Sequence, residues 1–452
     1  MSNIIEQPRF SCALAAQHSV LAIPRALPIV HAGPGCASKT FNFLAGGSGS
    51  AGEGYGGGSH VSSTNASEQE VVFGGEEKLR GVIDGALQVI DADLYVVLAG
   101  CTSGIVGDDV VTVAQEYADE GKPVVGAETS GFKGNNYFGH ELIVKSIIDQ
   151  YVGDVEPEVE KGLVNIFSVV PNQDLYWRGD LKEIKRIVEG IGFKVNILFG
   201  VESKGVDEWK RIPNAEFNIV LNPWVGVDIA EHLQKKYGTP YFHYPILPVG
   251  AKATGKFLRE LGEFAGVPKD KVEAFIKEEE DKYYTYIISL ADFLTEYRNN
   301  IPTELYAIGD SAYVLGTTDY LVNELGYLPK GVYAIDDPID YDTQASIKNY
   351  ANEIGEEIGN VFELNSDAGL LQKKMRDSIG SSHRAVILGS SWEDQLAREN
   401  NNLLIHLSIP VVDDVVLTRS FVGYEGGLRL TEEIYAGIYR KGKIAVTTQT
   451  LE

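Results

Sequence analysis

Cys12, Cys36 and Cys101 are the only cysteines in 452 residues, and all fall in the first quarter of the chain. Two follow apolar runs directly: Cys36 ends HAGPGC (31–36) after LPIVHAG, and Cys101 opens CTSG after DLYVVLAG (93–100). Cys12 lies in FSCAL, ahead of a helix-like stretch. Thiolates ligate soft metals and iron–sulfide clusters, and helix N-termini and glycine turns lower thiol pKa and offer N–H groups to sulfur. Separations of 24 and 65 residues match neither a zinc ribbon nor a ferredoxin-type run. Three thiolates leave a cluster short of ligands, so a partner chain has to complete it. A plainer alternative stays open, because cysteine is among the most often buried residue types.

The elements that must position these thiols follow a strand–turn–helix rhythm. In the first third, LPIVHAG (27–33), DLYVVLAG (93–100) and PVVGAET (123–129) read as buried parallel strands. They alternate with helical stretches at 76–90 and 108–121. A second set of strands is expected at 164–170, 194–200, 217–222 and 240–246. A third is expected at 305–310, 332–337, 360–366, 385–391 and 402–412. Residues 269–300 read as one long helix between the last two sets. The fold class is therefore α/β, with three doubly wound, Rossmann-like domains built on parallel sheets. The expected units are 1–160, which carries the cysteines, 161–300, which ends in the long helix, and 301–452. Cys36 and Cys101 then project from the carboxyl edge of one sheet, where such folds bind ligands.

Composition narrows the partners. A formal charge of -25 argues against nucleic acid, whose phosphates need Lys and Arg to replace their counterions. No apolar run approaches the roughly 18 residues of a membrane span. The first residues lack a basic flank followed by an apolar stretch, so a cytoplasmic location is expected. Three cysteines cannot build a disulfide framework.

Other motifs read as architecture. GAKATGKF (250–257) nearly spells a phosphate loop, but Phe257 replaces the hydroxyl that would hold magnesium. His31 and His60 are expected to be structural, and Asp108 and Asp109 to cap a helix. Residues 305–326 resemble a strand–helix nucleotide unit without its glycine fingerprint. Between Gly46 and Gly58, eight of thirteen positions are glycine. That tract is either a plain flexible loop or a backbone passing close to a cofactor or partner.

Four segments together, HAGPGC at 31–36, EVVFGGEEKL at 70–79, CTSGIVGDDV at 101–110 and VGYEGGLRLTEEI at 422–434, resemble nitrogenase component one. That superfamily includes nitrogenase α and β subunits, cofactor-assembly scaffolds, chlorophyllide-type reductases and methylthio-alkane reductases. The resemblance implies that Cys12, Cys36 and Cys101 ligate half of a P-cluster of the 8Fe-7S type, or a 4Fe-4S cluster. It implies a homologous α-type catalytic subunit sharing that cluster in an α2β2 heterotetramer. It also implies a separate ATP-hydrolysing iron protein as electron donor. TSGFKG (129–134) falls where β subunits carry a serine that can join the cluster; here Gly131 holds that place and Ser130 precedes it, so Ser130 is the candidate hydroxyl. Where α subunits hold their catalytic cofactor by a cysteine and a histidine, this chain has Asn222 and, at 411–421, no histidine. The chain is therefore expected to be β-type, with no catalytic cofactor of its own. The glycine tract, where the resembled β subunits carry bulky aromatic and basic residues, together with Gly131 sets the chain off the dinitrogen-fixing line, and the resemblance makes reductive C–S cleavage of methylthio-alkanes the leading candidate. The alternatives are the β subunit of a true dinitrogenase and a cofactor-assembly scaffold.

Overall fold

A computed structural model of the chain describes residues 5–8, 11–49, 60–380 and 385–449, with side chains described as far as Arg440. Three all-parallel sheets organise it. The first contains β1 (Ala26–His31), β2 (Ser62–Ser63), β3 (Leu94–Ala99) and β4 (Val124–Ala127), in the order β2-β1-β3-β4. The second contains β5 (Glu160–Phe167), β6 (Lys194–Asn196), β7 (Ala215–Val220) and β8 (Tyr241–His243), and repeats that winding as β6-β5-β7-β8. The third contains β9 (Glu304–Gly309), β10 (Leu328–Ala334), β11 (Phe362–Leu364), β12 (Ala385–Gly389) and β13 (Leu403–His406), in the order β11-β10-β9-β12-β13. All are doubly wound orders, as continuous apolar strands joined by helical crossovers require.

The strand interiors explain why the sheets form. Every residue of β3 is buried, and β1 is buried from Leu27 onward, so both strands are covered on both faces. They run in register from Ala26 opposite Leu94 to His31 opposite Ala99, which brings their carboxyl ends level. One apolar cluster extends from Leu14 through all three sheets to Ile438, so the three units share an interior. Smaller clusters cover the outer faces of the first and third sheets.

The helix expected over 269–300 is two helices, Lys269–Ile288 and Ala291–Tyr297. At the break the N–H groups of Ser289 and Leu290 reach back only three residues, to Tyr286 and Ile287. The Ser289 hydroxyl also bonds the Thr285 carbonyl at 3.0 Å, the local competition by which serine ends a helical turn. Two elements near the cysteines went unforeseen: the helix Pro34–Gly46 and the two-residue strand β2.

Candidate cluster site

Each cysteine stands at the start of a helical segment. Cys36 is in the first turn of the helix Pro34–Gly46, which leaves β1 through Gly33 with Pro34 at its opening position. Cys101 is the first residue of the helix Cys101–Val106, directly after β3 and Gly100. Cys12 caps the short turn Ala13–Ala15. β1 and β3 are the adjacent central strands between which the winding reverses, so Cys36 and Cys101 flank the switch point of the sheet. Gly100 is needed there, because a Cβ on it would sit 2.4 Å from the Ala32 side chain.

The fold gathers the three thiols. A Cβ on Gly131 would stand 2.6 Å from the Cys12 sulfur and 3.1 Å from the Cys101 sulfur, and Cys36 lies within electrostatic reach of both. Cys101 is exposed and the other two are partly buried, and none forms a disulfide. Burial pushes the Cys12 thiol up, against the pull of the Leu14 N–H, and the charge of Cys101 adds to the rise. Burial also raises Cys36, reinforced by Cys12 and Cys101. Lys39, one turn beyond Cys36, draws both thiols the other way. Crowded thiols that resist ionisation together are the ones a cationic iron group would deprotonate on binding. The donors are all sulfur, presented at helix N-termini, which is the chemistry iron–sulfide groups take. Among the described residues, no three His, Cys, Asp or Glu side chains are arranged to hold a single metal ion.

Ser130, the candidate hydroxyl, stands directly before the glycine that faces the thiols. It is fully buried, its hydroxyl donates to the Gly100 carbonyl at 3.2 Å, and it lies against Gly104. The residue facing Cys12 and Cys101 is Gly131, which has no side chain to offer.

Beneath the site lies a network that sequence reasoning missed. His31 pairs through Nε2 with Asp108 at 2.9 Å and through Nδ1 with Thr64 at 3.1 Å. Asp108 also accepts the Gly75 N–H with both oxygens at 3.0 Å. The His31 carbonyl receives the Ser103 hydroxyl and the Gly100 N–H, binding the Cys101 helix to β1. Asp109 caps the following helix through the Thr112 N–H, as expected, but Asp108 closes the histidine pair instead. Around the site Phe73, Ile105 and Phe132 stand exposed, Phe73 at 83%.

Asn222 is not placed to hold a metal group. Its side-chain oxygen accepts the N–H groups of Trp224 and Val225, making a tight turn after β7. Nearby carboxylates are also engaged: Asp310 with Tyr137 and Ser408, Asp336 with Trp224 and Ser311, and Asp180 with Tyr313 and Ser420. In 411–421, Asp414 pairs with Arg419, while His406 from β13 reaches Asp413 at 3.2 Å.

The near phosphate loop is a helix start whose anion position is taken. Glu324 accepts the Lys252 N–H, and burial holds its carboxyl up at about 7. His60 is exposed. Residues 50–59 of the glycine-rich stretch lie outside the described residues. Its beginning is tied to the third unit, with the Gly49 N–H on Val411 and the Val416 N–H on Gly49.

The family model for nitrogenase component 1 type oxidoreductases matches residues 11–439. The chain belongs to that family. A nitrogenase molybdenum-iron protein alpha chain of Methanothermobacter thermautotrophicus is 27% identical over 84% of this chain and 75% of the relative. A nitrogenase iron-molybdenum cofactor biosynthesis protein NifE of Methanococcus maripaludis is 30% identical over 67% and 60%. A nitrogenase molybdenum-iron protein beta chain from the same species is 25% identical over 93% of this chain and 91% of the relative. The solved structure "Nitrogenase Cp1 at pH 6.5" superposes with a TM-score of 0.77 at 21% identity, covering 98% of this chain and 94% of that one. This nitrogenase-family chain is an oxidoreductase subunit of the β type, matched along nearly the whole length of a beta chain and carrying Asn222 in its second unit. No helix among its described residues is long and apolar enough to cross a membrane.

Proposed function

We propose that this subunit holds one half of a P-cluster-type iron–sulfur cluster on Cys12, Cys36 and Cys101, shared with a homologous α-type subunit in an α2β2 heterotetramer. The observation that carries the reading is the gathering of all three cysteines, each at a helix start, on the carboxyl edge of the first sheet. When bound, such a cluster supplies one-electron redox chemistry, with a potential tuned by charge, solvent and N–H groups near its sulfurs. The chain's own share is to hold the sulfurs and to set the local charge through Lys39. Electrons arrive from a separate ATP-hydrolysing iron protein, for which exposed Phe73, Ile105 and Phe132 supply apolar docking surface near Cys101. Reduction then takes place on the partner's cofactor, in keeping with the engaged state of Asn222, Asp310 and Asp336 here.

For the substrate we favour reductive C–S cleavage of methylthio-alkanes. The bare Gly131 and the glycine tract set this chain apart from β subunits with bulkier residues at those places. Two other readings have specific support: a true dinitrogenase β subunit, from the beta-chain relative, and an assembly scaffold, from the NifE relative. The test supplies the purified complex with its reductase, ATP and dithionite. Methanethiol and hydrocarbon from a methylthio-alcohol are expected. Ammonia from dinitrogen without thiol release contradicts the choice, and transfer of a cofactor to another apoprotein without turnover supports the scaffold.

A further inference from the structure

The three thiols are not served alike. The Gly131 N–H donates to the Cys101 sulfur at 3.2 Å, and the Leu14 N–H pulls on Cys12. Among the described residues no N–H donates to the Cys36 sulfur. Cys36 stands instead in the first turn of the helix Pro34–Gly46, with Lys39 three positions further on. Side chains at that spacing lie on one face of a helix. The Lys39 ammonium acts on Cys36 and reaches across to Cys12 as well.

The helix that carries this cation is fixed in orientation. Thr40 and Leu44 form its buried side, and the Phe43 ring stacks on His18 of the helix Ala16–Leu21, with centroids 5.3 Å apart. With that side pinned to the core, Cys36 is left partly buried and Lys39 exposed, on the open side where Cys101 also stands. A cluster held by thiolates in a chain of formal charge -25 is a poor electron acceptor, because each added electron enters negative surroundings. The reduction potential of such a group follows the net charge around it and the hydrogen bonds to its sulfurs. Cys12 and Cys101 have their N–H groups for this, and Cys36 has Lys39.

Resting on the cluster reading above, we infer that Lys39 poises the cluster's potential: its charge beside Cys36 and Cys12 stabilises the reduced form, so that the cluster accepts an electron from the iron protein more readily. The step is a bare electron transfer. The iron protein loses one electron, the cluster gains it, and no bond or proton moves. Lys39 ligates nothing, so its charge is separable from the cluster's retention.

The experiment purifies the complex of this chain and its partner without oxygen, as wild type and with Lys39→Met, Lys39→Glu or Lys39→Arg. Lys277→Met, on the helix Lys269–Ile288 outside the first unit, makes the same charge change as Lys39→Met and serves as control. Iron content is measured for each, with the cluster's midpoint potential from a reductive titration followed by visible absorbance and EPR. All variants are expected to keep full iron. The midpoint is expected to fall in Lys39→Met, to fall further in Lys39→Glu, and to hold the wild-type value in Lys39→Arg and Lys277→Met. Equal midpoints across the Lys39 series, with full iron, overturn this role and leave the cluster reading standing. A fall in Lys39→Arg or Lys277→Met as large as in Lys39→Met overturns it too, because the charge beside Cys36 is then not the cause. Iron loss in Lys39→Met makes Lys39 a residue that retains the cluster and likewise removes the poising role. A wild-type complex without iron overturns the cluster reading and this inference with it.

Discussion

Cys12, Cys36 and Cys101 announced themselves by scarcity, and Cys36 and Cys101 also by the glycine-flanked strand ends they follow. Gly131 and Ser130 were harder to read. Both lie in a loop after β4, and which of two neighbours faces the thiols depends on tertiary hydrogen bonds that no local pattern encodes. The Ser130 hydroxyl donates to the Gly100 carbonyl, so Ser130→Ala removes one buried hydrogen bond. Its expected cost is about 1 kcal/mol in chemical denaturation, with full iron retained. Iron loss in that variant restores Ser130 as a ligand. Asn222 belongs to the same scale: a single amide caps two N–H groups, and Asn222→Cys leaves those donors bare rather than building a cofactor site.

Among the elements, the strands were legible because buried parallel strands are continuous apolar runs. The short elements were not: β2 is only Ser62–Ser63, held to β1 by pairing that the sequence does not advertise. The His31–Asp108 pair spans 77 positions in sequence and draws together the turn at Gly75, the Cys101 helix and β1. Asp108→Ala strands the His31 ring and the Gly75 N–H in a buried place. The expected cost is about 3 kcal/mol, at the lower end of what breaking a buried pair does, read from urea denaturation. A loss below about 0.5 kcal/mol, typical of ordinary surface changes, contradicts a supporting role for the pair. The helix over 269–300 shows the opposite failure: its periodicity continues past Ser289, but hydrogen bonds to Thr285 and Tyr286 tighten and end it.

At the scale of the whole molecule, three units close around one core, and charged groups are caught between them. Asp180 is fully buried between the second unit and residues Tyr313 and Ser420, and burial holds its carboxyl up at about 7. Its folded value lies above the usual carboxylate range, so the folded chain keeps a proton that the unfolded chain releases. This contribution is therefore present at low pH and is lost as pH rises from about 4 to about 7, by roughly 1.4 kcal/mol per unit. Asp180→Asn cannot titrate, so its stability relative to wild type should rise across that window and then level off; parallel pH profiles contradict the assignment. The packing of the units was not readable in advance, because these contacts join residues more than a hundred positions apart. The central claim, that the three cysteines hold an iron–sulfur cluster at a subunit interface, is tested most directly on the intact assembly. The complex is purified without oxygen, with wild-type chain and with Cys101→Ala, and iron per heterodimer is measured beside its visible absorbance. The account predicts a brown wild-type complex and a Cys101→Ala complex that loses the cluster's iron and colour; full iron and colour in the variant contradict it.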